Sequence, residues 1–150
     1  MSLENLLKIH QLQRHTATAQ EVHRLLASAS RNLADSAVQT ISDETRFDAA
    51  YKAIMQCAMV ALMAHGYRPS TTTPGHHQTM IQSLGLTVGL GNDVWVVLDS
   101  MRKKRNLNDY SGNPIEPAAV RACVGHAQML LATTRRWLSQ HRPDLFTEDA

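Results

Sequence analysis

The fold of this chain is decided by residues 43–65, which read DETRFDAAYKAIMQCAMVALMAH. Apolar side chains recur there at helical spacing on one face, and Met55, Met59 and Met63 add a second apolar row beside it. A helix that is apolar around most of its circumference normally lies at the centre of a bundle. The stretch therefore predicts a central helix. Its methionine row is interpreted as adaptable core filling, in preference to the wall of a ligand pocket.

Amphipathic segments on both sides of the central helix complete an all-α pattern. They predict further helices over residues 2–13, 16–41, 75–84, 92–110 and 117–141. No glycine or proline separates the first two segments, so one long bent helix remains an alternative to two helices. Prolines and consecutive threonines predict a loop over residues 66–75. We predict an up-down bundle of four or five helices, which forms a single domain over residues 1–150.

The composition is that of an ordinary globular protein, with 43% hydrophobic and 19% charged residues. A net charge of +2 gives no general attraction for nucleic acid, so such binding would need a local patch. The longest apolar run, residues 53–64, is about half of the ~20 residues that span a bilayer. Cys57 and Cys123 lie in apolar helical contexts and are expected to be reduced core thiols. We therefore expect a cytoplasmic protein with no membrane partner.

The segment with the most chemistry is residues 102–110, which read RKKRNLNDY. On a helix, Arg102, Asn106 and Tyr110 share one ridge, while Arg105 lies at the end of the core-facing stripe. Asp109, four residues on, is the expected partner of the Arg105 guanidinium. Two interpretations stay open: a charged helix end with an ion pair, or a ridge that binds phosphate through the planar donor fork of arginine.

The pattern Arg105-Asn106-x-x-x-Tyr110, near the end of a penultimate long helix, resembles the motif of the HEPN domain family. That motif is an arginine, a polar residue that is often asparagine, three further residues and a histidine. Arg105 and Asn106 match it, and Tyr110 stands at the histidine position. The tyrosine that many members carry two residues later is replaced by Gly112. The resemblance extends over most of the chain through helix order and length.

In that family the motif helices of two protomers meet around a two-fold axis and form a metal-independent ribonuclease site. Many members are toxins or defence ribonucleases, and others are binding or adaptor domains. The resemblance thus implies a homodimer joined through the helix that ends at Tyr110, with a nucleotidyltransferase or antitoxin as a partner protein. It gives Arg105 and Tyr110 as the catalytic residues. Together with the phosphate-binding ridge, it gives as ligand-binding residues Arg102, Arg105, Asn106 and Tyr110.

The tyrosine at position 110 affects the ribonuclease activity that the resemblance implies, because it stands where the family has a histidine. Histidine has an unperturbed pKa of ~6.5 and tyrosine of ~10, so Tyr110 is a poor general base near neutral pH. We therefore expect an RNA- or nucleotide-phosphate-binding domain of prokaryotic defence or toxin–antitoxin type, with impaired catalysis. One alternative is a metal-independent endoribonuclease in which Tyr110 or an outside histidine supplies the proton. Another is a protein–protein adaptor dimer without catalysis.

Two adjacent histidines, His76 and His77, open the short helix. Neighbouring residues point in different directions, and Met80 and Ile81 occupy the positions where a further ligand would stand. We therefore predict no metal site and no cofactor, and interpret the pair as capping or solvent-facing groups. Entry of one of them into the motif cleft, in place of the missing histidine, is an alternative that the sequence leaves open.

Overall fold

The computed structural model describes residues 1–146 and confirms the all-α prediction. Within those residues, seven helices and two short strands follow one another along the chain. They are α1 (Leu3–Lys8), β1 (Leu12–Arg14), α2 (Ala19–Ser36), α3 (Asp43–Ala64), β2 (Tyr67–Pro69), α4 (His76–Gln82), α5 (Leu84–Thr87), α6 (Asn92–Ser111) and α7 (Pro117–His141). The four long helices, α2, α3, α6 and α7, form a bundle.

The centre of the bundle is α3, as its all-round apolar surface predicts. It packs most extensively against α2 and α7, and also contacts α4, α5, α6 and β2. Small buried residues on α3 allow the close approach of neighbouring helices; they are Ala50, Ala53, Ala58 and Ala61. Within residues 1–146, this one helix is long and apolar enough to cross a membrane, but 72% of its most apolar window is buried inside the fold. That burial is typical of a core helix.

The segment before α2 differs from the predicted long helix. α1 ends at Lys8, and His10 adopts a left-handed backbone with φ of 64°, which stops helical hydrogen bonding. Residues Leu12–Arg14 then pair antiparallel with Tyr67–Pro69, with Leu12 opposite Pro69. The chain therefore has two separate helices here, and part of the predicted loop over residues 66–75 is a strand.

The ends of α2 are set by side-chain hydrogen bonds. Thr18 and Glu21 form a capping box at its start. The helix ends at Ser36 and does not reach Ile41. Ser36 Oγ donates to the carbonyl of Leu33, and Arg46 Nε donates to the carbonyl of Ser36. These bonds occupy carbonyl oxygens of the last turn.

The second half of the chain follows the predicted pattern more closely. The predicted segment 75–84 is two short helices, α4 and α5, while α6 and α7 have nearly the predicted bounds. Gly112, with φ of 70°, ends α6 in a left-handed conformation that suits glycine. On α6, Leu98 and Met101 are buried, whereas Val97 is 36% exposed and does not face the core.

The stability of the bundle should depend on the contacts of α3. Leu62 on α3 is fully buried, whereas Leu107 on α6 is 52% exposed. Leu62→Ala should lower the free energy of unfolding by about 2–5 kcal/mol, because it leaves a cavity in the core. The matched Leu107→Ala should change it by about 0.5 kcal/mol or less. Urea unfolding of both variants measures the difference, and equal effects would contradict a central α3.

Candidate functional site

A cleft of about 680 Å³ opens between α3, α4, α6 and β2. We call it the Arg105 cleft. Its apolar lining consists of Leu25, Met55, Met59, Pro69 and Met80. Its cationic and imidazole side chains are Lys52, Arg68, His76, His77 and Arg105. Among the described residues that line the cleft, Asp48 is the one carboxylate. The site therefore joins an apolar surface to a cluster of basic groups.

Arg105 reaches this cleft from α6 and lies against α3. Its Nε is 3.6 Å from Asp109 Oδ2, which confirms the predicted pair, and 3.7 Å from Asp48 Oδ1. Its Cζ lies 5.2 Å from the ring centre of Tyr51, within cation–π range. Both Nε distances exceed a hydrogen-bond length, and the side chain is 32% exposed. The guanidinium is thus held in place while its donors remain accessible to a ligand.

Asp48 supplies the negative charge among the described residues that line the cleft. Partial burial raises the pKa of its carboxyl group, and the nearby charge of Asp109 raises it further, while Arg105 opposes both. The carboxylate therefore neutralises part of the charge of Arg105. The other basic groups are not balanced by acids that line the cleft.

Tyr51 connects Arg105 to a histidine of α4. The Tyr51 hydroxyl oxygen lies 3.3 Å from His77 Nδ1. Burial raises the pKa of Tyr51 to about 12, so the phenol keeps its proton near neutral pH. Burial also lowers the pKa of His77, and the positive charges of His76, Arg105 and Arg102 add to that effect. The phenol O–H can therefore donate a hydrogen bond to Nδ1 of a neutral imidazole.

The capping role allowed for the histidine pair is wrong, while both side chains remain partly exposed to solvent in the cleft. Both histidines line the cleft and are half-buried, and their rings meet edge to face with centres 4.7 Å apart. Gly75 is the N-cap of α4, and its helix start has no side-chain cap. His77 therefore enters the cleft that contains Arg105, which is the arrangement the sequence left open.

The other motif residues lie outside the cleft lining. Arg102 Nε donates to Asp99 Oδ1 at 2.8 Å, and Asp99 is largely buried. Asn106 is half-buried, and Tyr110 is 87% exposed. These three residues share a helix ridge next to that of Arg105 and do not line the cleft. Of the four predicted ligand-binding residues, the structure brings Arg105 to the cleft and does not bring the other three.

Several lining residues of α3 were missed by the sequence analysis, although their spacing carries a signal. Asp48, Lys52, Met55 and Met59 recur at intervals of three or four residues, so they share one face of α3. Met55 and Met63 are buried in the core, and Met55 and Met59 line the cleft. The methionine row therefore fills the core, as predicted, and also forms part of the cleft wall.

Within residues 1–146, no group of three or more histidine, cysteine, aspartate or glutamate side chains is placed to hold a metal ion. No protein-family model matches this chain, and no curated protein matches it in a sequence search. The case for its function therefore rests on the residues of the Arg105 cleft.

The charge state of His77 gives a direct check of this geometry. We expect its pKa to lie below the ordinary 6.5, and to rise in Arg105→Ala because one repelling cation is removed. Because the folded value is lowered, the His77 contribution to stability should fall as the pH drops below about 6.5. NMR titration of the imidazole measures the pKa.

The matched control for that titration is Arg121→Ala, which removes an exposed arginine on α7. This variant should leave the His77 titration unchanged. A His77 pKa at or above 6.5 in the unmodified protein would contradict the described environment.

Proposed function

We propose that this protein is a HEPN-like RNA- or nucleotide-phosphate-binding domain whose ligand enters the Arg105 cleft. The observation that carries the proposal is the cluster of Lys52, Arg68, His76, His77 and Arg105 around one cleft with a single lining carboxylate among the described residues. Arginine binds phosphate through a planar set of donors, and lysine adds positive charge. Because the net charge is only +2, nucleic-acid binding needs a local basic patch, and this cluster is such a patch.

The apolar side of the cleft also suits a nucleotide. A nucleobase has an apolar face that the thioethers of Met55, Met59 and Met80 can contact, while the phosphate faces the basic groups. The volume of about 680 Å³ falls within the range of about 300–1,000 Å³ found for small-ligand sites. Arg105 holds phosphate in this proposal.

The proposal includes a homodimer joined through α6. Val96, Leu107 and Tyr110 are exposed by 54%, 52% and 87%. Their spacing of 11 and 3 residues places them along one face of α6. An exposed apolar face of this kind supports contact with a second copy, in which Tyr110 and Asn106 serve the interface. The partner protein and the prokaryotic defence setting follow from the resemblance, and the cytoplasmic location follows from the composition; all three stay predictions.

A second candidate function is metal-independent RNA cleavage, and the position of His77 favours it. The imidazole and the Arg105 guanidinium both contact Tyr51 within one cleft. In this scheme Arg105 holds the scissile phosphate, and His77 accepts the proton of the attacking 2′-hydroxyl at Nε2 while its Nδ1–H donates to the Tyr51 oxygen. The 2′-oxygen forms the new bond to phosphorus, and the 5′-oxygen leaves and takes a proton from water. His77 would then take the part that the family motif gives to the residue at position 110.

Binding is tested first, with single-stranded RNA at several salt concentrations. The affinity should fall as salt rises, because phosphate contacts release counterions. Arg105→Ala should weaken binding by roughly tenfold to a hundredfold, as expected for loss of a charge-assisted contact. It should also lower the salt slope by about 0.7 for a single strand.

Arg121→Ala removes the same charge from α7 and should weaken binding by no more than about twofold, through the general field. Equal losses in the two arginine variants would refute a localised site. Absence of RNA and nucleotide binding at any salt, together with loss of a dimer in Arg105→Ala, would support the adaptor alternative.

Cleavage is tested separately, with purified protein and RNA in the presence of a chelator. If the second candidate is right, both Arg105→Ala and His77→Gln should reduce the rate by about 10²-fold or more, since each removes a reacting-site group. Tyr110→Phe should keep the rate, because Tyr110 lies outside the cleft lining. Intact RNA at protein concentrations near those of the RNA would leave the binding function alone.

A further inference from the structure

We infer that His77 is a proton-linked phosphate contact, so that the Arg105 cleft binds a phosphodiester more tightly as the pH falls. This inference rests on the proposed function, because it assigns a regulatory role to one residue of the same cleft. It concerns binding at equilibrium and applies whether or not the protein cleaves RNA.

The geometry places His77 and Arg105 on two sides of one phenol. His77 contacts the Tyr51 hydroxyl at 3.3 Å, and Arg105 lies over the Tyr51 ring at 5.2 Å from its centre. Tyr51 belongs to α3 and is 2% exposed, so it is a fixed spacer between α4 and α6. A phosphate group that approaches Arg105 in this cleft also approaches the His77 imidazole.

Tyr51 can keep its hydrogen bond in both charge states of His77. With a neutral imidazole, the phenol O–H donates to Nδ1, and Nε2 carries the remaining proton. With an imidazolium, Nδ1–H donates to the phenol oxygen, which is free to accept once its own O–H rotates away. Uptake of a proton therefore does not break the contact that positions the ring. A lysine in place of Tyr51 can only donate and would permit the neutral His77 imidazole alone. A carboxylate there can only accept and would favour the charged imidazolium.

The charges around His77 decide the sign of the linkage. The groups that face it or share its cleft are Tyr51, Asp48 and Lys52 from α3, His76 from α4, Arg102 and Arg105 from α6, and Arg68 from β2. Cations predominate in this set, so an added proton on His77 is unfavourable while the cleft is empty. A bound phosphodiester places a negative charge among them and makes the proton favourable. Binding thus takes up a proton, and a lower pH must strengthen it.

The size of the effect follows from the charge that the ligand adds. An opposite charge within about 4–6 Å raises a histidine pKa by about 1–3 units. Each unit by which the His77 pKa differs between the free and the bound protein changes the affinity by a factor of ten between the fully deprotonated and the fully protonated histidine. We expect binding to be at least about threefold tighter near pH 5.5 than near pH 8, and more if the pKa rises by more than one unit.

The probe should be an oligouridylate with 2′-O-methyl groups and without terminal phosphates. Its phosphodiesters and bases do not change charge over this pH range, and it cannot be cleaved through a 2′-hydroxyl. Dissociation constants are measured at constant ionic strength by fluorescence anisotropy. Calorimetry near pH 6.5 in two buffers of different ionisation enthalpy gives the number of protons taken up by the unmodified protein, without any substitution.

The expected result is uptake of up to one proton by the unmodified protein and loss of the pH dependence in His77→Gln. His76→Gln is the matched control from the adjacent position and should keep the pH dependence. Binding that does not vary with pH, or a pH dependence lost in His76→Gln and kept in His77→Gln, overturns the inference and leaves the proposed function intact. No binding of the probe at any pH or salt overturns both.

Discussion

The apolar surface of α3 extends around most of its circumference, and water has to be excluded from all of it at once. α2 and α7 cover two sides, and the shorter elements between α3 and α7 cover much of the rest. This requirement places α3 at the centre of the bundle, because no other helix within residues 1–146 has as many buried residues. It also explains why β2, α4 and α5, which have little core of their own, lie where they do. They are held by the helix that they cover.

The same constraint creates the cleft. On one flank of α3, the covering elements meet the helix along a row that begins with Asp48 and Tyr51 and continues to Met55 and Met59. Polar groups at one end of the row and thioethers at the other give the cleft its two chemical halves. Arg105 and His77 come from elements that are distant in sequence, and Tyr51 is the residue that both contact. The core helix thus also positions the side chains that face a ligand.

The extent to which the sequence predicts this molecule varies with the range of the interactions. Local signals were sufficient for α3, α6 and α7, because apolar periodicity and a proline at the first turn are read within one segment. The strands β1 and β2 were missed, since three-residue pairings between distant segments leave no periodic pattern. In the site, the pair of Arg105 with Asp109 follows from their spacing of four residues. The approach of His77 depends on how α4 docks on α3, which no single segment encodes.

The two buried cysteines allow local opening of this bundle to be measured by thiol labelling. Cys57 belongs to α3 and Cys123 to α7, and Cys123 Sγ lies 3.9 Å from the carbonyl oxygen of Phe47. Burial raises the pKa of each thiol to about 12. About one in 10⁵ of these thiols is ionised at neutral pH, so an alkylating reagent must await separation of α7 from α3. The labelling rate of each cysteine therefore records how often that interface opens, site by site, under fully native conditions.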